Sequence, residues 1–242
     1  MSKLENNIPF HVAIIPDGNR RWAKKRGLAP WEGHKAGADV IEEITKEALN
    51  IGIKCLSFWG SSADNLTKRP IEEKRALLKI YETYFSKLIS NKEIYEKETR
   101  INILGLWEEQ FPEGLKKILK EGIAKTKNHA NHFLNFLLAY NGDDDILHAV
   151  KRISEKVRSS QQEVEITKEM IRENLITGEL PDVDLIIRTG VEGDPHNSAG
   201  FLMWQTQNSQ YHFSEKHFPD FNAEEFKKAI NDFSSKERRQ GK

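Results

Sequence analysis

The chain has 242 residues, of which 38% are hydrophobic, which is enough for one globular domain with a buried core. Lysine plus arginine and aspartate plus glutamate both number 37, so the formal net charge is zero. This balance argues against a general nucleic-acid binder, because such a protein needs excess positive charge to displace counterions from the phosphates. We expect a single domain that spans residues 1–242.

The cysteine count and the hydropathy pattern bear on the cellular compartment. Cys55 has no second cysteine with which to form an intrachain disulfide, and the apolar run 53–59 around it predicts a buried strand. Residues 1–7 are polar and lack the basic-then-apolar order of a signal peptide. The apolar-rich stretch 133–140 is far too short to span a bilayer. These features predict a soluble, cytoplasmic protein.

Segments typical of strands and of helices alternate along the chain. The apolar, partly β-branched runs that predict strands are residues 10–15, 53–59, 101–104, 133–139 and 183–187. Helical periodicity covers 34–50, a long helix opened by Pro70, 112–127, 143–157, 167–176 and 223–233. The alternation predicts an α/β fold with a central, mostly parallel sheet flanked by helices. Ligands of such sheets bind beyond the carboxyl ends of the strands.

The first candidate loop follows the strand at 10–15 and has the sequence Asp17-Gly18-Asn19-Arg20-Arg21-Trp22. Gly18 lets the backbone approach a ligand closely, and N–H groups that lead into a helix can hold phosphate oxygens. Guanidinium groups suit phosphate geometry, whereas the carboxylate of Asp17 repels phosphates unless a magnesium ion bridges the two. A surface turn with solvated arginines is the alternative interpretation.

Two further loops follow predicted strands. The second contains Ser62, Asp64 and Asn65 and ends near Arg69; by itself this loop favours a capped turn, because these residue types are common there for local reasons. The third begins with Arg188 at the end of an apolar strand, where a charge requires a partner. An anionic ligand and an internal salt bridge are the two candidates for that partner.

Taken together, the loops predict a site for two diphosphates and a divalent cation, with Arg21, Arg69, Arg188 and the carboxylate of Asp17. The sequence contains no GxxxxGK[ST], GxGxxG or GxSxG motif. The acidic run 143–145 lacks the DDxxD spacing of the all-helical trans-prenyltransferases. We interpret that run as a solvated helix start, where negative charge is favourable.

Several ordered blocks of the chain resemble the undecaprenyl diphosphate synthase family, the cis-prenyltransferases. The blocks are HVAIIPDGNRRWAKKRG at 11–27, GHKAG at 33–37, and the segments 62–70, 184–190, 201–205, 219–221 and 239–241. The resemblance implies that family's fold, with an apolar product tunnel between the sheet and the helices. It also implies condensation of isopentenyl diphosphate onto an allylic diphosphate, such as farnesyl or geranylgeranyl diphosphate, to give a Z-polyprenyl diphosphate and release diphosphate.

The resemblance also implies roles for individual residues. Asp17 would hold Mg²⁺ on the allylic diphosphate, and Asn65 would orient a water or a phosphate oxygen at the position where the proton is removed. The substrate-binding residues would be Gly18, Asn19, Arg20, Arg21, Trp22, His34, Ser62, Ala63, Asp64, Leu66, Arg69, Arg188, His196, Ser198, Arg239 and Gly241. The last two resemble a terminal RxG motif that reaches across a homodimer interface in this family. The lipid product would bring peripheral membrane contact.

The chain departs from the family pattern at several positions. Arg20 replaces a frequent glycine, Pro30 and His196 stand where arginines are expected, and Leu66 replaces a tryptophan. Gln210 takes the place of a second magnesium carboxylate, and an amide binds magnesium more weakly. These departures keep open the alternative of a non-catalytic partner subunit. An unrelated phosphohydrolase or phosphate-binding module is a further alternative, although no nucleophile or paired-carboxylate site supports it.

Product length has two interpretations. Tyr81 and Tyr84 on the long helix, and the bulky pair Leu137-Leu138, would narrow a tunnel and favour short or medium products if they lined it. The slightly preferred interpretation is that these four residues belong to an ordinary core.

Overall fold

A computed structural model describes residues 7–236 of the chain. Its centre is one sheet of six parallel strands in the order β3-β4-β2-β1-β5-β6. The strands are β1 His11–Ile15, β2 Cys55–Trp59, β3 Thr99–Leu104, β4 His132–Leu137, β5 Leu185–Arg188 and β6 Gln210–Phe213. The expected α/β fold with a parallel sheet is therefore confirmed, and every strand pair in it is parallel.

Helices cover both faces of the sheet. They are α1 Asn19–Lys25, α2 Pro30–Ile51, α3 Ala63–Lys68, α4 Ile71–Ser90, α5 Lys92–Glu96, α6 Trp107–Gln110, α7 Glu113–Thr126, α8 Gly142–Ser159, α9 Lys168–Asn174 and α10 Ala223–Ser235. Within residues 7–236, none of these helices is long and apolar enough to cross a membrane.

The strand register places alternate side chains on two faces. Ile14 pairs with Phe58, which pairs with Phe136, and all three join the larger core together with α2, α4, α7 and α10. Ala13 and Ile186 point to the opposite face, where a smaller core forms with Phe201 and Leu202. The nearly continuous burial of β1 and β5 explains why these strands are apolar without alternation.

Polar side chains interrupt the second face of the sheet in one buried row. Ser57 pairs with Asn135 across β2 and β4, and the amide of Asn135 donates to the hydroxyl oxygen of Ser57 at 3.0 Å. Nε2 of His11 lies 2.8 Å from the same hydroxyl, and Nδ1 lies 2.9 Å from the carbonyl oxygen of Pro181. Cys55 is buried beside this row, as expected, and burial raises its pKa to about 12.

Two expectations need correction. The strand β6 was not predicted, because its exposed Tyr211 and Phe213 give it no apolar run. The acidic run starts α8, but Asp145 is only 2% exposed: it accepts from the hydroxyl of Tyr140 at 3.1 Å and from the Ile176 N–H at 2.6 Å. It is thus a structural carboxylate and not a solvated one. Leu137 packs in the smaller core, on the face of the sheet opposite to Leu138, which agrees with the preferred interpretation of Leu137 as an ordinary core residue.

Candidate active site

The three loops singled out by sequence meet at the carboxyl edge of the sheet. They follow β1, β2 and β5, three adjacent parallel strands, and such strands end at the same edge. A cavity of about 370 Å³ lies between them. Its lining residues are Ile15, Pro16, Asp17, Gly18, Asn19, Arg20, Arg21, His34, Trp59, Gly60, Ser61, Ser62, Asn65, Arg69, Arg188 and Ser198.

The turn after β1 depends on two glycines that permit close packing. Gly18 has φ of +97°, and a Cβ there would lie only 2.7 Å from Cδ2 of His217. A Cβ on Gly33 of α2 would lie 2.0 Å from the carbonyl oxygen of Asn19, so glycine at 33 lets α2 lie against the start of α1. This packing brings His34 to the cavity wall.

Asp17 bridges two arginines from different elements. Its Oδ2 lies 2.9 Å from Nη2 of Arg188, and its Oδ1 lies 3.0 Å from Nη2 of Arg21. Arg188 is buried to 7% exposure, and its Nη1 donates to the hydroxyl of Ser198 and to the carbonyl oxygen of His196, both at 2.7 Å. Asp17 is thus an internal carboxylate partner of Arg188, and the anionic ligand that its position at the strand end also allows stays a prediction.

The loop after β2 is both a helix cap and part of the cavity wall. Oγ of Ser62 accepts from the Asn65 N–H at 3.0 Å, which caps α3. Ser62 and Asn65 also line the cavity, so the local interpretation and the functional one apply to the same residues. Arg69 follows α3 with a side chain that is only 13% exposed.

Glu73 on α4 is a buried carboxylate between cations of two loops. It is 3% exposed, and its Oε1 lies 3.3 Å from Nε of Arg20, 3.5 Å from Nε of Arg69 and 3.9 Å from Nε2 of His34. Burial, Arg69 and Arg20 together lower the pKa of His34 to about 3. His34 is therefore neutral near pH 7, and its Nε2 faces Nη1 of Arg69 at 3.3 Å as the acceptor.

Several residues named by the sequence lie outside the cavity lining. Trp22 points away and donates from Nε1 to Asp220 at 2.8 Å, while Asp64 pairs with Lys68 at the surface. Leu66 and Ala63 are buried, Leu66 within the larger core. The ring of His196 is half-exposed beside Ser198. Arg239 and Gly241 lie outside the described residues, so their expected roles stay predictions.

Pro30, which stands where an arginine is expected, and Gln210, which stands where a carboxylate is expected, also lie away from this cavity. Pro30 starts α2 at its first turn, and Gln210 lies on β6, separated from β1 by β5. Sequence reasoning missed Glu73 and Glu192, whose carboxylates contact arginines of the site, and His217, whose ring contacts Glu192. The spacing of Glu73 four residues after Arg69 on a helix start was an available signal for the first of them.

A second, apolar cavity of about 60 Å³ adjoins the polar one and shares Pro16, Asn19, His34 and Gly60 with it. Its other walls come from α2, α4, β2 and β4 and include Ile41, Leu77, Tyr81, Tyr84, Phe85, Phe136 and Leu138. The hydroxyl of Tyr81 donates to the carbonyl oxygen of Gly60 at 2.8 Å, at the boundary of the two cavities. This apolar pocket lies directly below the polar site, and the expected product tunnel stays a prediction.

The donor set at the cavity fits magnesium only together with a ligand. Residues 7–236 contain no group of three or more His, Cys, Asp or Glu side chains placed to hold a metal. Asp17 is 36% exposed and faces the cavity as a single carboxylate. Magnesium is commonly held by one or two carboxylates, with substrate phosphates and waters completing its shell. Asp17 plus a bound diphosphate satisfies that requirement.

The geometry suits a ligand with phosphates at one end and hydrocarbon at the other. Four arginines and the neutral histidine His34 line the polar cavity. The apolar pocket begins directly beneath them.

Comparison with known proteins agrees with this arrangement. Residues 15–241 match the family model described as putative undecaprenyl diphosphate synthase. The tritrans,polycis-undecaprenyl-diphosphate synthase (geranylgeranyl-diphosphate specific) of Pyrococcus furiosus is 37% identical over 236 residues, which cover 97% of this chain and 88% of that protein. The isoprenyl transferase of Clostridium perfringens is 36% identical over 239 residues, covering 98% of this chain and 92% of that protein.

A solved structure shares the fold. It is lavandulyl diphosphate synthase from Lavandula x intermedia in complex with dimethylallyl diphosphate, with a TM-score of 0.89 and 28% sequence identity. The alignment covers 97% of this chain and 99% of that one.

Proposed function

We propose roles for the cavity residues from the following premise. This chain belongs to the undecaprenyl diphosphate synthase family, whose transferases lengthen isoprenoid diphosphates in the cis configuration. The substrates are isopentenyl diphosphate and an allylic diphosphate. The observation that carries the proposal is the convergence of Arg20, Arg21, Arg69 and Arg188 on one cavity that continues into an apolar pocket.

The allylic diphosphate binds at the turn after β1. Gly18, Asn19, Arg20 and Arg21 line the cavity at this turn and would cradle its phosphate oxygens, chiefly through the two guanidinium groups. Its hydrocarbon chain enters the apolar pocket, which adjoins this turn through Pro16. A ligand bound this way places its reactive carbon at the boundary between the two cavities.

Isopentenyl diphosphate binds to the loops after β2 and β5. Arg69, Arg188 and Ser198 line that side of the cavity and offer donors to a second diphosphate. Asn65 lies on the same wall; its amide is a poor base, so it would orient a water or a phosphate oxygen when the proton leaves. Neutral His34 cannot donate from Nε2, which already accepts from Arg69.

Magnesium would be held by Asp17 and the phosphate oxygens, and when bound it supplies positive charge against which the diphosphate leaves. The arginines provide the same kind of support through the protein. Arg21 and Arg188 both contact Asp17, so they would be held near the positions where phosphate charge develops. Fixed donors of this kind need little rearrangement during the reaction.

The apolar pocket would accept the growing chain. Tyr84 closes it together with Phe85 and Phe136, and the ring centroids of Tyr84 and Phe136 lie 5.7 Å apart. A small pocket must widen as isoprene units are added, so these rings would set the product length.

A homodimer is supported by exposed apolar side chains on the α8 side of the sheet. Leu147, Val150 and Val157 form a stripe on α8 with exposures of 50%, 55% and 39%. Tyr211 and Phe213 stack on β6 with ring centroids 5.5 Å apart and point to the same face of the sheet as Ile186. A second copy would cover these groups. We further propose a cytoplasmic location with peripheral membrane contact through the lipid product.

The substitution Asp17→Ala tests the assignment of the site. It removes the metal ligand and one partner of each of Arg21 and Arg188, and turnover should be lost. Asp182→Ala is the matched control, because Asp182 forms an ion pair with Arg172 at 2.9 Å outside the cavity. Retained turnover in Asp17→Ala would contradict the assignment.

A further inference from the structure

Glu192, in the loop after β5, joins three side chains that come from other elements. Its Oε2 accepts from Nη1 of Arg21 at 2.7 Å. Its Oε1 lies 3.0 Å from Nζ of Lys25 and 2.8 Å from Nε2 of His217. Hydrogen bonds from Lys25, Arg21 and His217, in that order, lower the pKa of Glu192 to about 2. The carboxylate is therefore charged in neutral solution.

The backbone at Glu192 is held in an unusual conformation by neighbouring contacts. Its φ is +45°, a left-handed value that costs energy for a residue with a side chain. The preceding residues are tied to the segment after β6: the Gly190 N–H donates to the carbonyl oxygen of Lys216 at 2.7 Å, and the Val191 N–H donates to that of Ser214 at 3.2 Å. The segment that contains His217 therefore fixes the loop that carries Glu192.

His217 contacts the phosphate-binding turn directly. Its side chain is 6% exposed, and its ring lies against Gly18 so closely that a Cβ on Gly18 would be 2.7 Å from Cδ2. The next residue, Phe218, donates its N–H to the carbonyl oxygen of Asp17 at 3.0 Å. One buried residue thus supports the turn from below and reaches Glu192 with its ring nitrogen.

We propose that His217 is a positioning residue for the allylic diphosphate: its Nε2–H holds Glu192, and Glu192 in turn orients Arg21 toward the cavity. The proposal rests on the proposed role of Arg21. Arg21 is otherwise held through Nη2, by the carbonyl oxygen of Gly190 at 2.7 Å and by Asp17 at 3.0 Å. The contact of Nη1 with Glu192 fixes the rotation of the guanidinium plane, which governs how it meets a phosphate.

Two substitutions separate the hydrogen bond from the ring's packing. His217→Phe keeps an aromatic ring against Gly18 but removes the donor to Glu192. His217→Gln keeps an N–H at a similar distance from the backbone. His129→Phe is the matched control, because the ring of His129 is part-buried and its Nδ1 donates to the Thr99 carbonyl oxygen at 3.0 Å, away from the cavity.

The experiment measures pyrophosphate binding by calorimetry on the full chain. Steady-state kinetics then give kcat and the KM values for the two diphosphate substrates. In His217→Phe we expect the affinity for pyrophosphate to fall about tenfold and the KM for the allylic diphosphate to rise about tenfold. This is the usual effect of losing a hydrogen bond to a charged group. The KM for isopentenyl diphosphate and kcat should change little. His217→Gln should restore most of the affinity, and His217→Phe should add no further loss in a Glu192→Gln background.

Three binding results would overturn the proposal: His217→Phe binding pyrophosphate as wild type does, His217→Gln binding as weakly as His217→Phe, or wild-type protein binding no pyrophosphate. Equal increases in both KM values with a lowered melting temperature would show a structural role only and overturn it too. A wild-type protein that binds pyrophosphate but elongates no substrate would contradict the proposed function, while the comparison of the variants still decides the role of His217.

Discussion

Nη2 of Arg188 lies 2.9 Å from Oδ2 of Asp17, which joins the carboxyl ends of two neighbouring parallel strands. The same guanidinium donates from Nη1 to Ser198 at 2.7 Å. The single acidic group that would hold magnesium is therefore already in contact with an arginine that would bind phosphate. A diphosphate and a magnesium ion would therefore bind beside this contact between Asp17 and Arg188.

Arg188→Lys should weaken binding of isopentenyl diphosphate while preserving the fold. Lysine keeps the positive charge, but one nitrogen cannot replace the fork that holds Asp17, Ser198 and the His196 carbonyl oxygen together. We expect the KM to rise about tenfold or more, as for a lost hydrogen bond to a charged group. Steady-state kinetics measure it, with Arg172→Lys as the control. An unchanged KM would show that the fork is unnecessary.

Glu73→Gln should destabilise the protein. The substitution keeps the shape of the side chain but leaves Arg69, which is 13% exposed, without its carboxylate partner. Loss of one member of a largely buried pair costs about 1–3 kcal/mol in the free energy of unfolding. Urea denaturation at pH 7 measures this cost. The control is Glu82→Gln, which breaks a surface pair with Lys79; equal stability of the two variants would contradict the prediction.

Tyr84→Ala should lengthen the product. Its ring closes the apolar pocket against Phe85 and Phe136, and truncation opens space for more isoprene units. Leu115→Ala is the control for destabilisation, because it truncates a fully buried core side chain on α7 outside the pocket, whereas Tyr84 is partly buried. Mass spectrometry of the products would show a shift to longer chains for Tyr84→Ala alone. An unchanged distribution would leave Tyr84 as an ordinary core residue.

Acid should destabilise the fold well above the carboxylate range. Burial lowers the pKa of His11 from 6.5 to about 4, and burial with nearby arginines lowers that of His34 to about 3. Below about pH 6.5 the unfolded chain therefore binds protons that the folded chain does not. The free energy of unfolding should fall with pH by up to about 1.4 kcal/mol per pH unit for each histidine.

Urea denaturation at pH 7, 6 and 5 tests this slope. His11→Asn removes one titrating group outside the candidate site, so its stability should depend less steeply on pH than that of wild type. Equal slopes, or a wild-type stability that is constant between pH 7 and pH 5, would show that His11 does not titrate as its burial requires.

The sheet and the position of the site were predictable because each signal was local. The apolar run of β1 stops at Pro16, and the turn that follows carries the charged residues, so strand, loop and ligand chemistry are consecutive. The edge strand β6 carried no such signal, since Tyr211 and Phe213 are partly exposed and alternate with polar residues. Its pairing with β5 is a consequence of tertiary structure.

The residues that hold the site's cationic side chains in place could not be predicted from the sequence, for a different reason. Glu73 binds Arg20, and Glu192 binds Arg21 and His217, in each case across a long separation in the chain. Only the folded sheet brings these elements together. Leu66 shows the converse, in which neighbours in sequence are separated by the fold. It directly follows a cavity residue in sequence, yet the helical rotation of α3 turns its side chain into the core.

The most direct test is to incubate purified protein with isopentenyl diphosphate, magnesium and, in separate reactions, geranyl, farnesyl or geranylgeranyl diphosphate. Mass spectrometry and the geometry of the new double bonds identify the products. The account predicts a ladder of elongated diphosphates with Z double bonds from at least one starter. A folded protein that elongates none of the three would contradict it and would favour the non-catalytic partner subunit instead.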